Sequence, residues 1–210
     1  MKIIFDLDHT LYSTKKLYLA WVRFMEEIGI KEELFQKIFN DSKEGGELFD
    51  KDKIFDSLVK VNPEISYEFL EEKWAKSHDG SEKFLYPDVL LFFEKFKGKH
   101  DFYILSYGVN DIQRYKIKRA NIEHFFKEIY ITLDINKVSV LDEFLDKTEK
   151  VLFVDDNPEV LSKTKKEFPN VITIRINRGE GKHKDSSDNS GIDFSIKSFK
   201  ELEELLLTEL

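Results

Sequence analysis

The sequence predicts an α/β protein in which a Rossmann-like parallel sheet core carries an inserted α-helical domain. Three observations lead there. Short apolar runs rich in β-branched and aromatic residues recur along the chain, which favours strand over helix. Helical patterns separate the later runs, and such alternation implies a parallel sheet with helices on both faces. One long stretch, residues 13–84, breaks this rhythm and carries helical segments without a strand.

Taken in order, the first strand is expected at residues 2–7. The insert then offers helices at 15–28, 32–39, 52–61 and 64–76, punctuated by Gly29, Gly45-Gly46 and Asn62-Pro63. The core resumes near Tyr86-Pro87-Asp88, with Pro87 opening a helix to Phe96. Further strands are expected at 102–105, 128–132, 151–154 and Val171–Ile176, with helices at 110–120, 138–146 and 158–168 between them. Asn157 is a natural N-cap and Pro158 a natural first helical residue. The polar segment 179–191 reads as a mobile loop. Residues 193–196 suit a short edge strand, and Ser198 with Glu201 forms a capping box for a last helix through Leu207. The expected division is a core of residues 1–13 and 85–210 and an insert of residues 14–84.

Composition narrows the function. A chain of 210 residues suits a core with one smaller inserted domain. Hydrophobic residues at 41% and aromatics at 14% supply a real core and exclude wholesale disorder. The net charge of -8 argues against general nucleic-acid binding, which draws its affinity from clustered Lys and Arg. With no cysteine there is neither a disulfide nor a thiolate metal site. The apolar run Ile3-Ile4-Phe5 meets charge at Asp6, far too soon for a signal peptide or membrane span, so a soluble cytoplasmic protein is expected. Nothing in the pattern speaks to oligomeric state.

The informative feature is where polar residues fall. Asp6 and Asp8 end the first strand, Ser106 the second, Thr132 the third, and Asp155 and Asp156 the fourth. Open parallel sheets bind ligands in the crevice at those strand ends. Four carboxylates gathered there repel, and without a cation some must protonate. Oxygen-only donors favour a hard divalent ion, Mg²⁺ first.

Several residues then align with a known pattern: Asp6-Leu7-Asp8-His9-Thr10 directly after an apolar run, Tyr103-Ile104-Leu105-Ser106, Lys137, and Val154-Asp155-Asp156-Asn157. Over nearly its whole length the chain resembles the haloacid dehalogenase superfamily of aspartate-nucleophile phosphatases and their relatives. The insert is similar to the helical cap of that superfamily's first cap class, which implies a subfamily I phosphatase with a C1-type cap domain. The resemblance implies that Asp6 attacks phosphorus and forms an aspartyl-phosphate. Asp8 would protonate the leaving alcohol, then activate water, and offer its backbone carbonyl to Mg²⁺. On the phosphate side, Thr10 would hold the Asp8 loop through its hydroxyl. Ser106 and the backbone N–H groups around Tyr107 and Gly108 would bind phosphate oxygens. Lys137 would balance charge, Asp156 would hold Mg²⁺, and Asp155 would serve as a second or outer ligand. Val138 stands where family members often carry proline, and Lys147 and Lys150 are the other lysines in that stretch.

Taken singly, each residue also has a structural reading. Asp6 and Asp8 suit turns, Ser106 suits a strand end, residues 155–158 suit a turn and helix cap, and Lys137 suits a solvated surface. Chance rarely places all of them on successive strand ends. The five histidines show no metal-ligand spacing, Lys163, Lys165 and Lys166 read as a solvated helix face, and Trp21, Phe24 and Trp74 read as the insert's own core. The expected reaction is hydrolysis of a small phosphorylated metabolite, since a sizeable cap closes over a crevice and excludes bulk water. The run from Phe5 to Tyr12 is similar to the opening of nucleotidases that act on pyrimidine monophosphates. The alternatives are a sugar-phosphate mutase, which shares Asp6 and Asp8, and a dehalogenase, which lacks the acid at Asp8. A non-enzymatic interaction protein would leave the acids without use.

Overall fold

The computed structural model describes residues 1–43, 48–145 and 149–210. Gly45-Gly46 and the expected helix end at Asp146 lie outside the described residues. By internal contacts the chain divides into two compact units, Met1–Thr14 with Glu82–Leu210, and Lys15–Ser81. The chain begins with β1 (Lys2–Phe5), then forms α1 (Thr14–Glu27), α2 (Glu32–Asp41), α3 (Lys51–Val61) and α4 (Tyr67–Ser77). After α5 (Val89–Phe96) it alternates through β2 (Asp101–Tyr107), α6 (Asn110–Arg119), β3 (Phe126–Thr132), α7 (Val138–Phe144), β4 (Val151–Asp155), α8 (Pro158–Glu167), β5 (Val171–Ile176), β6 (Phe194–Ile196) and α9 (Phe199–Thr208). Among the described residues no helix is long and apolar enough to cross a membrane.

The sheet is six-stranded and parallel throughout, in the order β3-β2-β1-β4-β5-β6. This is the doubly wound order, and it reverses between β1 and β4. Residues of β1 alternate between faces, as strand geometry requires. Ile4 joins one layer with Leu105, Leu141, Phe153 and Leu161. Phe5 enters the other, packing edge-on against Phe93 at 5.4 Å and meeting Phe199 at 5.4 Å and Phe102 at 5.9 Å.

Local chemistry sets the helix starts. Ser66 accepts a hydrogen bond from the Phe69 N–H at 3.1 Å, so α4 begins at Tyr67 and not at residue 64. A turn closed by the Val89 N–H to the Tyr86 carbonyl precedes α5, which therefore starts two residues beyond Pro87. Asn157 caps α8 through the Glu159 N–H at 2.9 Å, and Ser198 caps α9 through the Glu201 N–H at 3.3 Å. The four helices of the insert share an aromatic core, with Trp21 centred 5.2 Å from Trp74 and 6.2 Å from Phe55.

The segment 179–191 is pinned where a mobile loop was expected. Buried Arg175 donates to the His183 carbonyl at 2.8 Å, Asn177 to the Lys184 carbonyl at 2.8 Å, and Asn189 to the Pro158 carbonyl at 3.1 Å. Gly191 passes so close to α8 that an added Cβ would lie 2.4 Å from the Ser162 Cα. The chain leaves and re-enters the sheet unit through a narrow joint. There Tyr12 and Leu85 form an antiparallel bridge, the Ser13 N–H donates to the Phe84 carbonyl at 2.8 Å, and the Tyr86 N–H donates to the Leu11 carbonyl at 3.1 Å.

Phe93 is fully buried among Phe5, Phe102, Phe125 and Phe126. Phe93→Ala is expected to lower unfolding free energy by about 3–5 kcal/mol, read as a reduced urea midpoint.

Candidate active site

The strand order reverses between β1 and β4, and there the acidic residues meet. The Asp6 N–H donates to the Val154 carbonyl at 2.9 Å, which continues the β1–β4 pairing one residue past β1. Asp6 is thereby set beside the end of β4, and oxygens of Asp6, Asp155 and Asp156 lie within 4.8 Å of one another. The Lys137 ammonium is buried between them, donating to Asp6 Oδ1 at 2.5 Å and to Asp155 Oδ2 at 2.7 Å. Of the other lysines expected in that stretch, Lys150 donates to the Leu210 carbonyl at 3.1 Å, away from the carboxylates. Lys147 lies outside the described residues.

Lys137 reaches its place through an unusual backbone. Its φ is 62°, in the left-handed region, which costs a non-glycine residue on the order of 1–3 kcal/mol. Asp134 braces the turn from several sides. Its N–H donates to Thr132 Oγ1 at 3.0 Å, and its Oδ1 accepts from the Asn136 N–H at 2.9 Å. Its carbonyl accepts from the Lys137 N–H at 3.1 Å, and its Oδ2 from Ser139 Oγ at 3.1 Å. Thr132 thus ends β3 as expected, but its hydroxyl holds the lysine loop.

The electrostatics show crowded negative charge. Burial pushes the Asp6 carboxyl up most; Lys137 pulls it down and Asp155 and Asp8 push it up, leaving it at about 7. Asp156 is raised well above its ordinary value by burial and by the charges of Asp155 and Asp6. Burial alone would lower the Lys137 ammonium, but Asp155 and Asp6 outweigh it and hold it raised. If all ionise, four carboxylates face the ammonium groups of Lys137 and Lys116, leaving two negative charges. That residue of charge and an all-oxygen donor set fit one hard divalent cation such as Mg²⁺. Asp6 and Asp156 are the carboxylates best placed to hold it. Both oxygens of Asp155 are already engaged, one by Lys137 and one by the Asn157 N–H at 2.8 Å.

Asp8 faces elsewhere. Both its oxygens lie 2.9 Å from the Lys116 ammonium, and Oδ2 accepts from Gln113 Nε2 at 2.9 Å. Burial would raise this carboxyl, but Lys116 and Gln113 outweigh it and hold it lowered. Gln113 Nε2 also reaches Ser106 Oγ at 2.7 Å and the Tyr107 carbonyl at 3.1 Å. The sequence reading missed Gln113 and Lys116. Their one available signal was the three-residue spacing that puts both on one face of α6.

Three expected phosphate contacts are differently arranged. Ser106 is fully buried beneath Gln113, so its hydroxyl is not open to a ligand in this conformation. The Gly108 N–H, expected as a phosphate donor, is committed to the Thr132 carbonyl at 3.0 Å because β2 and β3 stay paired to their ends. The Thr10 hydroxyl is buried without a hydrogen-bond partner, so it does not tie down the Asp8 loop. Backbone closes that loop instead: the Leu11 and Tyr12 N–H groups both donate to the Leu7 carbonyl at 2.9 Å. Arg178, also missed, adds an outer brace, donating to the Thr10 carbonyl at 3.2 Å and to Asp88 at 2.8 Å while lying 4.4 Å over the Tyr86 ring. His9 takes a φ of 60° and packs its ring on Gly181, where an added Cβ would come within 2.8 Å.

A family model described as haloacid dehalogenase-like hydrolase matches residues 3–168. No curated protein matches the sequence significantly. Among solved structures, a protein assigned as a haloacid dehalogenase-like hydrolase from Burkholderia xenovorans LB400 is similar, with a TM-score of 0.74 and 20% identity over 97% of this chain and 95% of that one. The HAD-hydrolase YfnB from Bacillus subtilis, solved bound to magnesium, gives 0.64 and 18% over 98% and 97%. L-2-haloacid dehalogenase from Xanthobacter autotrophicus gives 0.65 and 15% over 100% and 99%. At these identities the likeness is one of fold.

The raised Asp6 carboxyl has a signed consequence. Its folded value of about 7 exceeds the ordinary 3.8, so its contribution to stability is full below the lower value and is lost as pH climbs through the upper one. In EDTA, the melting temperature should therefore fall between about pH 4 and pH 7 more steeply for wild type than for Asp6→Asn. Added Mg²⁺ should raise the wild-type melting temperature and flatten that slope, an effect that Asp156→Asn weakens.

Proposed function

The chain belongs to the haloacid dehalogenase-like hydrolases, and from that premise we propose that it is a Mg²⁺-dependent phosphatase acting on a small phosphomonoester through an aspartyl-phosphate on Asp6. The observation that carries this reading is the second carboxylate. Asp8 stands two residues from Asp6, its side chain partly open to solvent, and outside the cluster of Asp6, Asp155 and Asp156. Displacing a halide from carbon needs no proton donor, whereas an alkoxide leaving phosphorus does.

In the first step a carboxylate oxygen of Asp6 bonds to phosphorus and the ester P–O bond breaks. The bonding pair leaves with the alcohol oxygen, which takes a proton from Asp8. In the second step Asp8 takes a proton from water as the water oxygen attacks phosphorus. The Asp6–phosphorus bond breaks, releasing phosphate and restoring the Asp6 carboxylate. Lys116 keeps Asp8 in the carboxylate form that the second step needs, so the proton for the first step must arrive with or after the substrate. Lys137 screens the charge of Asp6 from the incoming phosphate. A bound Mg²⁺, held by Asp6 and Asp156 with Asp155 behind them and the Asp8 backbone carbonyl completing the set, would neutralise phosphate charge further. The helical unit Lys15–Ser81 is the cap in this reading. A nucleoside monophosphate is the first substrate class to try, on the similarity of the segment from Phe5 to Tyr12. The expected setting is the cytoplasm.

A generic aryl phosphate assayed with and without Mg²⁺ tests the proposal. Metal-dependent turnover should vanish in Asp6→Asn. Asp8→Asn should release about one equivalent of phenol in a burst and then turn over roughly 10²–10⁴-fold more slowly, since an aryl oxide leaves unaided but water still needs its base. Wild type and Asp6→Asn equally inert across a broad phosphate panel would sink the reading. Rapid interconversion of sugar phosphates with little phosphate released would replace it with a mutase.

A further inference from the structure

Building on the phosphatase reading, we infer that Gln113 and Lys116 are positioning residues, which act on the reaction only through Asp8, the carboxylate they hold. Both are almost completely buried, Gln113 at 2% exposure and Lys116 at 7%. Burying an ammonium is costly unless a close partner compensates it, and Asp8 is that partner. The grip takes hold of both carboxylate oxygens, with Lys116 bridging the pair and Gln113 bound to Oδ2. Rotation of the carboxylate about its last torsion would break at least one of these bonds.

Gln113 extends the arrangement towards the end of β2. The Asp8 carboxylate and the Tyr107 carbonyl only accept, so the Gln113 atom facing them is its amide nitrogen. In the remaining contact, at 2.7 Å, Ser106 Oγ accepts as well, and with two hydrogens for three acceptors one hydrogen is shared. One amide group therefore registers Asp8, in the loop after β1, against Ser106 on β2. The backbone makes room for it at Gly108, where φ is 154° and an added Cβ would meet Gln113 Cγ at 2.9 Å. A polar side chain given this much space at a glycine, three residues from a buried lysine aimed at the same carboxylate, is built to hold that carboxylate in one orientation.

The test is a double-mutant cycle read in kcat and KM separately on an alkyl phosphate with Mg²⁺, using Lys116→Met, Lys116→Arg, Gln113→Leu, Asp8→Asn and the Lys116→Met/Asp8→Asn pair. Misplacing the acid should lower kcat by about 10²-fold in Lys116→Met, while KM stays within about threefold. Lys116→Arg should recover most of the loss, since a guanidinium also grips both oxygens of a carboxylate. The double variant should be no slower than Asp8→Asn alone, because Lys116 acts through Asp8. A crystal structure of Lys116→Met should show the Asp8 carboxylate turned from its wild-type orientation. Fully additive losses, or an unmoved Asp8, overturn the inference. So does a rise in KM and in the inhibition constant for inorganic phosphate at unchanged kcat, which would make the two residues phosphate ligands. If Lys116→Met melts too low to assay, Gln113→Leu carries the same expectations. An inert wild type fails the phosphatase reading and this inference together, whereas an active wild type with indifferent variants fails the inference alone.

Discussion

One ammonium among carboxylates organises this site. Lys137 touches Asp6 and Asp155 at once from a buried position. Without it the two would face each other, and Asp156, with nothing between them but low-dielectric protein. Much of the nearby chain serves this placement. A left-handed lysine is an unlikely choice of backbone, and the bonds converging on Asp134 offset its cost. The balance is deliberately incomplete. In the proposed reaction Asp6 must be ionised to attack, and the crowding that raises Asp6 and Asp156 works against ionisation until more positive charge arrives.

The sheet makes the meeting possible. Asp6 and Lys137 are 131 residues apart in sequence, and Lys137 and Asp155 are 18 apart. Parallel pairing of β1 with both β2 and β4 aligns their carboxyl ends along one edge. Each helical crossover returns the chain to the opposite edge before the next strand starts, so polar residues gather at one end while the rest of each strand stays apolar. The aromatic layer around Phe5 and the aliphatic layer around Ile4 hold β1 from both faces. Asp6 therefore follows directly on a strand held from both faces.

How much of this could be read from sequence depends on the kind of residue. Asp6 and the pair Asp155-Asp156 were legible because each directly follows an apolar run, and a run buried on both faces fixes where its end lies. Lys137 was found by resemblance, not by local pattern, since neither glycine nor asparagine stands at the left-handed position itself. Gln113 and Lys116 were not legible. Whether a helix turns a given face inward depends on its packing, and α6 is polar enough for several faces to look solvated. Gly108 misled for a different reason. A glycine after a strand suggests free N–H groups, but β3 runs to Thr132 and takes that N–H into the ladder. The Thr10 hydroxyl misled because the motif names a residue type, while the loop is closed by backbone. The segment 179–191 has a loop's composition, and only long-range partners such as Arg175 and Pro158 give it order.

The joint at Tyr12 and Leu85 separates two design problems. Departing and returning chains are hydrogen-bonded side by side there, about one strand spacing apart. Any insert whose ends lie that close can be spliced in without changing the register of β1 against its neighbours. The sheet unit thus has a standard socket. What is plugged into it can differ from one such chain to another while the acids and the lysine of the sheet unit stay where they are.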